Sequence, residues 1–208
     1  MAIIHNFAVL EGGDGTGTST QLDLLRQRFS RPGLPPFYPT FEPTDSPIGK
    51  IIRSALKGDP PLQSETSARL FAADRNEHLY GKGGITERCG RGELVVSDRY
   101  VLSSLVYQGL DCGEALSKQL NAAFPGPELL LFFDLDPEIA QKRLAGRAER
   151  DHYEYLEFQI KVRERYKALL PEYEKRGVRV ETINASRTPP EVAEQVWSAL
   201  KKMPIFEG

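Results

Sequence analysis

The run Gly12-Gly13-Asp14-Gly15-Thr16-Gly17-Thr18-Ser19 constrains this chain more than any other stretch, because of what stands on either side of it. Residues 7–10, Phe-Ala-Val-Leu, form an apolar run of strand length. Leu22, Leu25 and Phe29 then recur at helical spacing until Pro32-Gly33 stops the pattern. A glycine loop between a strand and a helix is the context that separates a phosphate loop from a merely flexible turn. The phosphate-loop pattern is Gly, four residues, Gly, Lys and then Ser or Thr, and every position except the lysine is filled here. Glycines allow the backbone N–H groups to turn inward around phosphates, and the following helix points its positive end at them. Residues Gly12, Gly13, Asp14, Gly15, Thr16, Gly17, Thr18, Ser19 and Thr20 are therefore the candidate nucleotide-binding loop, with the Ser19 hydroxyl available to Mg²⁺.

Thr18 stands where the lysine belongs. A unit charge about 4 Å from a phosphate oxygen is worth roughly 4 kcal/mol at an effective dielectric of 20, so the substitution removes a large term. Arginines on a transferring phosphoryl group contribute factors of about 10³ to 10⁵ in other phosphotransferases, enough to compensate. Arg143, Arg147 and Arg150 lie between two helical segments, where such a set would be wanted, although a charge run is ordinarily a solvated face.

The rest of the chain reads as alternating strands and helices. Ser46 as a cap, Pro47 at the first helical position, an Ile48/Ile51/Ile52/Leu56 stripe and Gly58 as a stop mark a second helix. A third spans about 64–80. Buried strands are expected at 94–97, 129–134 and 179–183, and a further strand at 35–41 is complicated by Pro36 and Pro39. Asp136-Pro137 opens another helix, residues 154–176 read as a long one, and Thr188-Pro189-Pro190-Glu191 is a capping box for the last. This alternation predicts an α/β fold: a three-layer sandwich with a central parallel sheet of about five strands, flanked by helices.

With 208 residues, 40% hydrophobic content and a net charge of -2, the chain can bury one ample core, so residues 1–208 are expected to form a single domain with a small lid at about 143–154. The charge balance gives no reason to expect a nucleic-acid partner, and no apolar run approaches the roughly 18 residues of a membrane span. The first residues do not read as a signal peptide, so the expected location is the cytoplasm. Cys89 and Cys112 are expected to be free thiols.

Several segments resemble one family, the thymidylate kinases. Residues 7–21, FAVLEGGDGTGTSTQ, are similar to its phosphate loop, and Phe41-Glu42-Pro43 with Pro47-Ile48-Gly49 to its acceptor-phosphate loop. Leu70-Phe71-Ala72-Ala73-Asp74-Arg75 is similar to its base-binding helix, and residues 97–109, SDRYVLSSLVYQG, to its most distinctive segment. The LFFDLDP strand, the arginine-rich stretch and the VRERY helix extend the likeness over nearly the whole chain.

The resemblance implies transfer of the γ-phosphoryl of ATP to dTMP, with Mg²⁺, by a homodimer. It implies that Phe71 stacks on thymine, that Arg75 bonds the carbonyl edge of the base, and that Ser104, Tyr107 and Gln108 line sugar and base, with Tyr107 crowding the place of a ribose 2′-hydroxyl. Arg99 would hold the acceptor phosphate, Asp98 would help position Mg²⁺, and Asp14 would touch the acceptor's sugar hydroxyl. Two departures remove positive charge: Thr18 for lysine, and Phe41 where many members have arginine. With Gly15 in the loop and arginine in the lid, the chain resembles a bacterial subtype of the family. The alternatives are another deoxynucleotide or a nucleoside as acceptor, or a nucleotide-binding protein with impaired catalysis.

Overall fold

The computed structural model describes residues 2–144 and 152–207. Five strands, β1 (Ile3–Gly12), β2 (Phe37–Phe41), β3 (Leu94–Asp98), β4 (Gly126–Asp134) and β5 (Arg179–Asn184), make one parallel sheet in the order β2-β3-β1-β4-β5. The helices are α1 (Thr18–Phe29), α2 (Pro47–Leu56), α3 (Ser64–Tyr80), α4 (Ile85–Gly90), α5 (Val101–Asp111), α6 (Glu114–Asn121), α7 (Pro137–Leu144), α8 (His152–Lys175) and α9 (Pro189–Leu200).

Strand alternation divides the core in two. Phe7 and Val9 of β1, with Leu130 and Phe132 of β4, face a layer built from α3, α4, α5 and α8, where Leu79, Ile85, Val106, Val162 and Tyr166 are buried. Ala8 and Leu10, with Leu131 and Phe133, face α1, α7 and α9 through Leu22, Leu25, Ala140, Val192 and Val196. Both sheet faces are covered, which is why the strands read as continuous apolar runs. The expected three-layer sandwich is the observed one.

The doubtful strand at 35–41 is β2, and its position explains its prolines. It lies at the sheet edge, paired only with β3, so Pro39 can lack an N–H without breaking an inner ladder. The caps at Ser46, whose side chain accepts from the Gly49 N–H, and at Thr188 with Glu191 form as the sequence indicates. Two helices were not expected. α4 has six residues, too few to show a period. α6 turns Ser117 and Asn121 to the interior, so its buried face is polar and carries no apolar stripe. β1 begins earlier than expected because Asn6, at φ 62°, and a register shift between Ile4 and Ala8 interrupt its pattern.

Because all strands run in one direction, Gly12, Phe41, Asp98, Asp134 and Asn184 end at the same sheet edge. β1 lies between β3 and β4, where the winding changes direction, and open α/β sheets bind ligands in the crevice outside such a point.

Candidate active site

A cleft of about 700 Å³ opens at that crevice. Its floor is the glycine loop and the first turn of α1, where Gln21 is the first residue whose N–H bonds back, to the Gly17 carbonyl at 3.1 Å. The amides of Thr18, Ser19 and Thr20 precede that bond and face outward at the positive end of the helix, with no acidic residue in the turn. Gly15 is needed on two counts. Its φ is 80°, and a Cβ there would stand 2.9 Å from the Ala140 carbonyl and 3.1 Å from the Leu144 side chain.

Thr18 is buried and brings no charge to this floor. The cationic side chains lining the cleft, among the described residues, are Arg99, Arg143 and Arg187. Arg143, at the end of α7, donates through Nη2 to the Ala185 carbonyl at 3.0 Å and so crosses from α7 to the loop after β5. Arg187 was not anticipated from sequence. It comes from the same loop, which Pro189 and Val192 continue into the cleft wall. Arg147 and Arg150 lie outside the described residues.

Ser19 and Asp98, separated by 79 positions, meet: the Ser19 hydroxyl donates to Asp98 Oδ2 at 2.6 Å. Asp98 Oδ1 is buried and has no hydrogen-bond partner among the described residues. An orphaned carboxylate oxygen beside a hydroxyl at the lip of a phosphate cradle suits Mg²⁺, which takes one or two protein oxygens and completes its octahedron with water and phosphate. Among the described residues no group of three His, Cys, Asp or Glu side chains could hold a metal alone.

Asp14 joins four donors. Oδ1 accepts from Arg99 Nη2 at 2.8 Å and from the Tyr107 hydroxyl at 3.2 Å; Oδ2 accepts from Gln159 Nε2 at 3.1 Å and from the Tyr155 hydroxyl at 3.3 Å. Gln159 Oε1 also accepts the Asp14 N–H at 3.2 Å. Tyr155 and Gln159 were missed in the sequence, where residues 154–176 read only as a long helix. Their spacing of four, which puts both on one helical face, was the available signal. Arg99 adopts φ 71°, a left-handed backbone that costs a non-glycine residue about 1–2 kcal/mol. Burial alone would lower its pKa, but the oxygens of Tyr107, Tyr166, Asp14 and Asp98 outweigh it and hold the guanidinium charged. It lies 5.1 Å from the Tyr107 ring centre.

On α3, Phe71 is half-buried and has no aromatic partner among the described residues. Arg75, by contrast, is only 1% exposed. Its Nε and Nη2 donate to Glu42 Oε2, Nη2 also to Ser104 Oγ and the Tyr100 carbonyl, and Nη1 to Asn121 Oδ1. These bonds leave one Nη1 hydrogen unassigned, so Arg75 first ties together the end of β2, α3, α5 and α6. Ser104, bonded to it, and Gln108, one turn further on, are buried on α5. Cys89 and Cys112 are free thiols, and burial pushes the Cys89 thiol up to about 12.

The arrangement can cradle a polyphosphate on backbone amides, hold a divalent cation at Ser19 and Asp98, and set a charged arginine opposite. The family model described as thymidylate kinase matches residues 10–196. A protein of Treponema pallidum (strain Nichols) is 44% identical over 170 residues, 81% of each chain. One from Pyrobaculum aerophilum is 41% identical over 203 residues, 97% of this chain and 99% of its own. One from Synechococcus sp. (strain JA-3-3Ab) is 37% identical over 202 residues, 94% and 95% of the two chains. All three are described as thymidylate kinases, the first two provisionally. This chain belongs to the thymidylate kinase family.

Proposed function

We propose that this protein transfers the γ-phosphoryl group of ATP to dTMP, giving ADP and dTDP. The observation that carries this reading is the cleft at the switch point of the sheet, lined by loop residues 13–20 and by Arg99, in which Asp14 of the loop joins Arg99 and Tyr107. The acceptor needs no general base, since a phosphate monoester with a second pKa near 6 already presents an anionic oxygen at neutral pH. That oxygen attacks the γ-phosphorus and the bond to the β-phosphate bridge breaks. The protein's task is therefore alignment and charge neutralisation.

In this reading the amides of Thr18, Ser19 and Thr20 hold the donor phosphates, Arg143 and Arg187 flank the donor, and Arg99 holds the acceptor phosphate. Mg²⁺, which neutralises and aligns the donor phosphates when bound, would be held by Ser19 and Asp98. Asp14 meets the sugar hydroxyl, Phe71 stacks on thymine, and Arg75, Ser104 and Gln108 form the base wall. Tyr107 closes the space beside the 2′-carbon, so discrimination against ribose comes from a clash. Residues 1–208 act as one domain whose lid spans about 143–154, in a cytoplasmic homodimer that needs neither nucleic acid nor membrane.

The test is an acceptor screen with ATP and Mg²⁺, reading kcat/KM for dTMP, its ribose analogue and dCMP. The wild type should prefer dTMP over both, and Tyr107→Ala should raise the relative rate on the ribose analogue. A wild type indifferent to base and sugar, or a sugar ratio unmoved by Tyr107→Ala, contradicts the assignment of the pocket; preference for another acceptor would identify a different kinase on the same fold.

A further inference from the structure

Glu11 is a carboxylate with no exposed surface, placed between the apolar run Phe7–Leu10 of β1 and the glycine loop. A buried carboxylate is costly unless hydrogen bonds meet both its oxygens, and here they do. Oε1 accepts from the Tyr100 N–H at 2.9 Å and the Ser103 N–H at 3.3 Å; Oε2 accepts from the Ser103 hydroxyl at 2.6 Å and the Tyr166 hydroxyl at 3.1 Å. Three of the four donors belong to the start of α5, whose own N-cap residue, Tyr100, supplies no side-chain acceptor. Glu11 thus caps α5 from another element, opposite the positive end of its dipole.

What it holds there is the residue before Tyr100. Arg99 keeps its left-handed backbone because its flanking groups are tied down. Its N–H donates to the Leu10 carbonyl at 2.9 Å, its carbonyl accepts from the Ser97 hydroxyl at 2.8 Å, and the next N–H is the one bound by Glu11. The guanidinium then reaches Ser103 Oγ at 3.3 Å and the Gly12 carbonyl at 3.2 Å. Leu10 and Glu11, consecutive on β1, therefore fix the two peptides around Arg99, and Ser103 links Glu11 to its side chain. Strained backbone of this kind persists only where its surroundings over-determine it. Burial pushes the Glu11 carboxyl pKa up, against the pull of Ser103, Arg99 and Tyr166.

We propose that Glu11 is a positioning residue for the phosphoryl acceptor: it holds Arg99 in its strained conformation, through the Tyr100 amide and through Ser103, in register with the donor loop that begins at Gly12. This deepens the reading of Arg99 as the acceptor-phosphate ligand and rests on it. Glu11→Gln keeps the shape of the side chain but turns one oxygen into a donor facing Ser103, so the link to Arg99 should slacken while the core survives.

Calorimetric titration of dTMP and of thymidine, which lacks the phosphate, separates this role from a general structural one. Glu11→Gln should weaken dTMP by about tenfold or more and thymidine by less than about twofold, with the thermal midpoint near that of wild type. Ser103→Ala, which keeps the Ser103 amide bond to Glu11 but removes the hydroxyl that joins Glu11, Arg99 and Tyr166, should weaken dTMP selectively by about threefold, and it decides the matter if Glu11→Gln fails to fold. Equal weakening of both ligands, or of neither, in the folded variants overturns the proposal. Arg99→Ala separates the two readings: if it too weakens both ligands equally, the assignment of Arg99 falls first. If Arg99→Ala is selective and the other two variants are not, only the role of Glu11 falls.

Discussion

Thr18 is buried at the first position of α1, so the loop supplies amides and a dipole but no side-chain charge. We propose that arginine meets the deficit, about 4 kcal/mol for a unit charge near 4 Å at an effective dielectric of 20. Arg143 is fixed in the cleft wall by the Ala185 carbonyl, and Arg147 and Arg150 follow it in the chain. Ala substitutions of these three should therefore include at least one that lowers turnover by about 10² or more, within reach of the roughly 10³ to 10⁵ an inserted arginine can supply. Three variants with near-normal steady-state turnover would remove the compensation idea. Single residues were also where sequence reading was least complete. Asp14, Arg99 and Tyr107 could be named as a group, but not the fact that they meet, since 85 and 93 positions separate Asp14 from the other two. Glu11 and Gln159 were not singled out because nothing local marks a polar side chain whose partners lie on another element.

Elements were more legible, and their failures have physical causes. The glycine loop, the Ser46 cap, the Thr188 capping box and the apolar strands signal through neighbours in sequence, so they could be read directly. α6 could not, because its buried face is made of Ser117 and Asn121, which serve Ser104 and Arg75. The docking of α8 on the end of β4 was equally silent. Beside the apolar contacts of Val162 and Tyr166, it uses Asp134, which accepts from Arg163 at 2.6 Å and Lys167 at 2.9 Å. Burial raises the Asp134 pKa, but the hydrogen bonds and charges of those two residues outweigh it and leave it below the usual carboxylate value. A carboxyl lowered on folding contributes stability above its unfolded pKa, near 4, and loses it as pH falls through the lower folded value. Since all three side chains are partly exposed, the contribution should be about 1 kcal/mol or less. Urea unfolding of wild type and Asp134→Asn should show that difference at neutral pH and its disappearance below about pH 4. A difference that does not change with pH would mean that the carboxylate charge is not what anchors α8.

For the molecule as a whole, the parallel sheet does the organising, bringing the ends of β1, β2, β3, β4 and β5 to one edge. Fold class and family were open in the sequence because the loop, its flanks and the SDRYVLSSLVYQG segment each constrain the chain independently. The network that ties the donor loop to the acceptor arginine was closed to it, because it exists only once β1, β3, α5 and α8 have packed. The direct measurement is chromatographic quantification of both products from ATP, dTMP and Mg²⁺ with the purified protein. ADP and dTDP should appear in equal amounts, at a rate on the order of 1 s⁻¹ or faster, the ordinary range for kinases. No ADP, or ADP without matching dTDP, would contradict phosphoryl transfer to dTMP and leave a protein that only binds its nucleotides or hydrolyses one of them.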